Sequence, residues 1–175
     1  MITYQRLKAE HAQKLKEIDR SEHIDLIYEM DRDHLIEISA NHECPNWDKV
    51  LLQEIEQRYL FELHNGGAAI GSFDGERLIG FGVLAHQFRG KNQDQLQVDL
   101  MYVSRKYRRQ GVGTRILKDL ADEARARGAK TLYISSTETK SAVSFYRSNG
   151  STITDELDQE LFDKEPKDIH MVIQL

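Results

Sequence analysis

The segment that most limits how this chain can fold is a strand that turns through two glycines directly into a helix. In QLQVDLMYVS, residues 95 to 104, apolar side chains fill both faces, Val98, Leu100 and Tyr102 on one and Met101 and Val103 on the other; only Gln97 and Asp99 interrupt them. A strand apolar on both faces belongs in the middle of a covered sheet. RKYRRQGVG follows, and from Val112 onward Ile116, Leu117, Leu120, Ala121 and Ala124 recur at three- and four-residue spacing until Gly128. That is one apolar helix face with a glycine stop. Strand, tight turn and helix in immediate succession call for a layered fold in which the helix lies on the sheet.

Around this centre the pattern is mixed. ITYQRL alternates as a first strand, and helical stretches are expected from there through PNWDKVLLQEIEQRYLFELHNGG, with Asn46 as a helix cap and Gly66 as a stop. AAIGSFDGERLIGFGVLAHQF reads as two strands turning at Asp74-Gly75, and FRGKNQ makes a second hairpin leading into the central strand. TLYIS reads as a strand, SAVSFYRSNG as a short helix closed by Gly150, and IHMVIQL as a final strand. No repeat, low-complexity tract or Pro/Gly-rich linker divides the chain, so one α/β domain over residues 1–175 is expected.

Composition narrows the function. The chain has 175 residues, 39% of them hydrophobic, enough for one core and too few for two. No run approaches the roughly 20 apolar residues that span a bilayer, and MITYQRLKAEHAQKLKEIDR lacks the apolar block of a signal peptide. A cytoplasmic protein with no membrane partner is the expectation. Cys44 is alone, so neither an internal disulfide nor a cysteine zinc cage can form, and the 7 histidines show no paired metal spacing. No metal is expected. A net charge of −5 argues against wrapping nucleic acid. The charge is nevertheless uneven: Arg105, Lys106, Arg108, Arg109, Arg115 and Lys118 crowd the turn with no acid between Met101 and Lys118, whereas Glu22, Asp25, Glu29, Asp31, Asp33, Glu37, Glu43 and Asp48 share their stretch with Arg32 alone. Two ends of one site could carry opposite charge.

A helix start offers backbone N–H groups without intrahelical partners, and its dipole adds partial positive charge, so anions bind there. For a diphosphate to touch the backbone, the turn must lack side chains on the approaching side and tolerate unusual dihedrals, which Gly111 and Gly113 permit. Arg108 and Arg109 add charge. Two other phosphate motifs fail on spacing: Thr114-Arg115, not Lys-Ser or Lys-Thr, follows the last glycine, and Ile116 stands where a dinucleotide fingerprint needs a third glycine.

Arg108-x-x-Gly111-x-Gly113, after a strand ending LMYVS and before a helix, resembles the Q/R-x-x-G-x-G/A signature of the GCN5-related N-acetyltransferases (GNAT). SAVSFYRSNG is similar to the family's A-x-x-F-Y-x-x-x-G segment, with Ala142, Phe145, Tyr146 and Gly150 in register. The resemblance covers residues 68 to 150 well. It implies an α/β (α+β) fold with a mixed, mostly antiparallel central sheet flanked by helices, whose central strands splay apart to admit the pantetheine arm of acetyl-CoA, the cosubstrate. It further implies that backbone groups of Met101, Tyr102 and Val103 bind that arm, and that Gln110, Gly111, Val112, Gly113 and Thr114 cradle the diphosphate with Arg108 and Arg109 beside it. Thr139 stands where many relatives have an asparagine near the cofactor, offering a hydroxyl in place of an amide. Ser151 replaces a common phenylalanine. The family's frequent dimers make a homodimer the expected assembly, and its first two helices usually wall the acceptor pocket.

Acyl transfer from a thioester to an amine needs a neutral amine and a proton for the departing thiolate. An alkylamine has a pKa near ~10.4, so a base, or a water held by one, must take a proton at neutral pH. Asp99, charged within an apolar strand, is the candidate base, with Gln97 two residues earlier on the same face to hold a water. Tyr146 is the candidate acid: a phenol with a pKa near ~10 can donate to a thiolate whose conjugate acid sits near ~8.5. No nucleophile triad is recognisable. If the acidic run from Glu22 to Asp48 faces the pocket, a cationic acceptor is favoured: a small polyamine-like or aminoglycoside-like amine, or a lysine or N-terminal amine. A non-catalytic acyl-CoA sensor, or a nucleotide-binding module, would keep the same turn.

Overall fold

The computed structural model describes residues 1–175. Its main sheet has seven strands in the order β1-β4-β5-β6-β7-β9-β8. These are β1 (Ile2–Arg6), β4 (Ala68–Asp74), β5 (Arg77–Leu84), β6 (Gln95–Val103), β7 (Thr131–Ser136), β8 (Thr152–Ile153) and β9 (Ile169–Gln174). Every neighbouring pair is antiparallel except β6 and β7. Helix α1 (Lys49–His64) lies on one face with a 3-10 run over Ala9–Glu17, and α2 (Val112–Ala126) lies on the other with α3 (Lys140–Ser148). Each face has its own apolar core. Leu15, Ile55, Tyr59, Phe81 and Leu100 pack on the α1 side; Ile79, Val98, Ile116, Leu120 and Val143 pack on the α2 side. The doubly apolar centre anticipated for the sheet follows, because β5 and β6 feed both cores.

Between β1 and α1 the chain departs from the expected helices. After the 3-10 run it forms a long hairpin, β2 (Glu22–Asp31) and β3 (His34–Cys44), paired from Glu22↔Cys44 to Asp31↔His34. Ile24, Ile27, Tyr28, Ile36 and Ile38 supply the β-branched and aromatic content that favours strands. The turn is only Arg32-Asp33, with Arg32 at φ 60 where a glycine would normally advertise the reversal. Helix α1 is capped by Asp48, whose Oδ1 accepts from the Leu51 amide at 2.8 Å, and not by Asn46. The Asn46 Oδ1 is occupied by the Trp47 and Arg20 amides. A short helix, α4 (Gln159–Lys164), precedes β9 and was not legible in the sequence.

Candidate active site

The parallel neighbours β6 and β7 are paired only from Gln95↔Thr131 to Val98↔Ile134. Beyond that point β6 stays with β5 as far as Gly80↔Val103, and β7 stays with β9 as far as Ser136↔Ile169. The strands therefore part at Asp99 and Ser135 and leave a wedge-shaped gap in the sheet. A bulge starts it: Leu84 pairs with Val98 and Val83 with Leu100, so Asp99 is the extra residue. One inserted residue reverses the side-chain alternation. Val98 accordingly packs in the α2-side core while Leu100 and Tyr102 pack on the α1 side, which corrects the expectation that all three share a face.

The bulge also aims the backbone. The Ser104 amide donates across to Ile79 O, so even-numbered backbone groups after the bulge point at β5. Odd-numbered ones point into the gap, where Asp99 O accepts from Arg58 Nη2 at 3.0 Å and Val103 O accepts from Arg108 Nε at 2.8 Å. Met101 lies between them with the same parity, so its N–H and C=O face the gap. Tyr102 contributes its ring to the α1 side, edge-on to Trp47 with centroids 4.8 Å apart.

Three side chains with proton chemistry meet at this opening. Tyr146, on α3, is buried and its hydroxyl has no hydrogen-bond partner within the chain; burial, helped by Tyr102 and Asp168, pushes its phenol well above the ordinary value. Asp99 is present as anticipated, but its Oδ1 accepts from Arg58 Nη2 at 3.0 Å, so its charge is matched and it serves to anchor α1 against the bulge. Sequence reading missed Asp168, which directly precedes β9. Its Oδ2 accepts from Ser135 Oγ at 2.7 Å, and burial, with Glu165 and Glu138 nearby, pushes its carboxyl up to about 7. A lone aspartate in EPKDIHMV carries no sequence signal; only the β7–β9 pairing brings it to the gap.

The wide end of the gap opens on the glycine turn. Gly111 caps α2 in the left-handed region at φ 84, and a Cβ there would meet no atom within 4 Å. Gly113 has a different cause: a Cβ would lie 3.0 Å from Phe145 Cε1, so its absence lets α3 pack close and is not an unusual dihedral. The amides of Gln110, Gly111, Val112, Gly113 and Thr114 donate to no group in the chain; the first intrahelical bond is Arg115 N to Gly111 O at 3.1 Å. The basic cluster divides sharply. Arg108 turns inward and donates to Val103 O, to Ser21 O at 2.8 Å and to Asp19 O at 3.2 Å. Arg105 pairs with Glu43 at 2.7 Å, and Arg115 pairs with Asp119 and stacks on Tyr4. Arg109 alone among the arginines of this turn has no partner, on a backbone at φ 62.

Thr139 is also committed. It caps α3, its Oγ1 accepting from the Ala142 amide at 3.3 Å, and it is 8% exposed, so its hydroxyl does not stand free for a cofactor. The hairpin crosses here: the Tyr28 amide donates to Glu138 O at 2.7 Å, and Ile27 bridges to Thr139. Five of the eight acids in the run from Glu22 to Asp48 are engaged: Glu22 with Ser141 Oγ, Asp25 with His23, Asp33 with His34, Glu43 with Arg105 and Asp48 as a helix cap. The hairpin, not a helix pair, brings the acidic stretch to this side of the gap. No three His, Cys, Asp or Glu side chains converge as metal ligands, and no helix is long and apolar enough to cross a membrane.

A sheet parted at a bulge, with unpartnered amides at the head of the next helix, is the frame of an acyl-CoA acyltransferase. Residues 26–150 match the acetyltransferase (GNAT) family, and the chain belongs to it. The whole chain superposes on solved acetyltransferases of low identity, and this establishes a shared fold. Nourseothricin acetyltransferase is 20% identical over 99% of this chain and 98% of its own, with a TM-score of 0.74. A candidate streptothricin acetyltransferase from Bacillus anthracis str. Ames, solved in complex with acetyl coenzyme A, is 17% identical over 100% and 99%, also with a TM-score of 0.74. The ribosomal-protein-S18-alanine N-acetyltransferase from Escherichia coli is 17% identical over 99% and 94%, with a TM-score of 0.63. No curated protein sequence matches the chain.

Proposed function

We propose that this acetyltransferase moves an acetyl group from acetyl-CoA to a primary amine by direct attack, with both substrates bound at once. The observation that carries the reading is the continuity of the parted strands with the unpartnered amides of Gln110 to Thr114. A diphosphate fits that turn, because several N–H groups lack partners, the space beside Gly111 is open and the Arg109 guanidinium has no partner within the chain. An extended arm of the donor would run from there along β6. The Met101 N–H, aimed into the gap, is placed to polarise the thioester carbonyl as charge develops on its oxygen. Tyr146, kept protonated by burial, supplies the proton for the departing sulfur. Holding amine and thioester together contributes much of the acceleration.

On the acceptor side, Glu138 and Glu165 carry no ion-pair partner and Asp168 lies between sheet and loop, so a cationic amine suits the opening: a small polyamine-like or aminoglycoside-like compound, or a lysine or N-terminal amine. Free-thiol release from acetyl-CoA with a panel of amines tests both halves. Thiol release dependent on a cationic amine, lost by at least ~10²-fold in Tyr146→Phe while CoA still binds, is expected. Binding of acetyl-CoA without turnover for any amine would point to a sensor instead.

A further inference from the structure

We propose that Asp168 is the general base of the reaction, taking a proton from the acceptor amine directly or through one water, with Ser135 holding its carboxylate at the point where the sheet opens. The proposal rests on the acetyltransferase reading above. Its ground is geometric. Ser135 follows directly on Ile134, the last residue of β7 paired with β6, and its hydroxyl binds Asp168 Oδ2 at 2.7 Å. Asp168 Oδ1 has no partner within the chain and is free to accept a proton. Asp99, the base expected from sequence, has Oδ1 bound by Arg58.

The groups around Asp168 come from every element that borders the gap. Glu165 from the segment after α4 and Glu138 from the β7–α3 connection are negative; Arg58 from α1 is positive but already bonded to Asp99; Tyr102 from β6 and Tyr146 from α3 are phenols that feel its charge. Burial is the largest influence, and with the two glutamates it outweighs Ser135 and Arg58, giving a carboxyl that titrates at about 7. His170, two residues on and paired across the sheet with Ser135, is committed to other partners. It bonds Tyr133 Oη at 2.8 Å and Glu165 O at 3.1 Å, which ties the loop carrying Asp168 to β7.

The protons balance. The ammonium R–NH3+ gives one proton to Asp168, and the freed lone pair forms the C–N bond at the thioester carbon. The C–S bond breaks, the sulfur takes the Tyr146 proton, and the second proton on nitrogen returns to the Tyr146 oxygen. Asp168 then releases its proton to water. The sum is an N-acetyl amine, a free thiol and one H+ from the ammonium and the acetyl thioester.

Two measurements test the assignment. In the first, kcat/KM with a good amine is followed from pH 5.5 to 9 (roughly the window around a base near neutrality). Wild type should rise through a limb near pH 7, matching the carboxyl at about 7. Asp168→Asn should lose the limb and about 10²-fold or more in kcat/KM at the alkaline end, with calorimetric CoA affinity unchanged. Ser135→Ala removes the one hydrogen bond that favours the charged carboxylate, so its limb should move to higher pH.

The second measurement does not depend on activity. The carboxyl titrates higher folded than unfolded, so the stability it contributes is full below the model-peptide value of 3.8 and is lost as pH rises through about 7. Asn has no such loss. Asp168→Asn should therefore gain Tm over wild type with rising pH across that window and hold the gain above it. The proposal is overturned if wild type turns over amines and Asp168→Asn keeps the limb, or if Asp99→Asn alone removes it. An absence of thiol release by wild type with every amine would overturn the acetyltransferase reading, and the base role with it.

Discussion

Arg108 and Arg109 are adjacent, identical in sequence terms and opposite in what they do. Arg108 spends its guanidinium on three carbonyls, Val103, Ser21 and Asp19, and so ties the end of β6 to the segment entering the hairpin. Arg109, forced to φ 62, has no partner beside the open helix start. Removing Arg108 leaves carbonyls without their charged donor in a half-buried site, which costs about 2–3 kcal/mol in total. Arg108→Ala should lower the denaturation midpoint accordingly. Arg109→Ala should leave the midpoint alone and raise KM for acetyl-CoA several-fold, with kcat little changed. The reverse pattern, a stable Arg108→Ala with weakened CoA binding, would return Arg108 to the cofactor. A signature read along the chain gives residue types, not the direction in which a side chain turns.

At the level of elements, the junction of β7, α3 and the hairpin is organised by Thr139. Its side chain starts α3, whose register carries Tyr146 into the gap, and its backbone neighbours Glu138 and Ile27 hold β2 across the same point. Losing an N-cap hydroxyl costs about 1 kcal/mol. Thr139→Ala should show that loss in chemical denaturation and lower kcat as α3 frays, while Thr139→Ser restores both. If Thr139→Ala instead raises KM for acetyl-CoA at unchanged stability, the hydroxyl binds the cofactor and the cap is incidental. The helix itself was legible from its apolar spacing and terminal Gly150. The hairpin leaning on it was not, because a two-residue turn with Arg32 at positive φ has no glycine to mark it and its strands are half polar.

Across the whole molecule, the parted strands divide the sheet into β1-β4-β5-β6 and β7-β9-β8, with positive charge at one end of the gap and negative charge on its other borders. The first of these was readable: a doubly apolar strand, a glycine turn and an amphipathic helix are local patterns, and they marked the turn whose amides lack partners. The base was not, because Asp168 is brought in by antiparallel pairing with a strand more than 30 residues earlier in sequence, Ser136↔Ile169. The bulge at Asp99 was equally hidden, since one extra residue leaves no mark on composition.

The same distribution of charge makes a prediction about salt. Glu29, Asp31 and Glu37 on the hairpin have no cationic partner, and neither do Glu138 and Glu165 near the gap. A cationic acceptor approaching the opening therefore meets a field that is screened over about 8 Å at physiological ionic strength and over about 3 Å at 1 M. At saturating acetyl-CoA, KM for a diamine should rise several-fold as salt is raised over that range, while kcat stays nearly constant, because screening weakens encounter and leaves the contacts inside the gap unchanged. A zwitterionic amino acid should show a weaker dependence and a higher KM throughout. A diamine KM that ignores salt would mean the acceptor is chosen by shape alone.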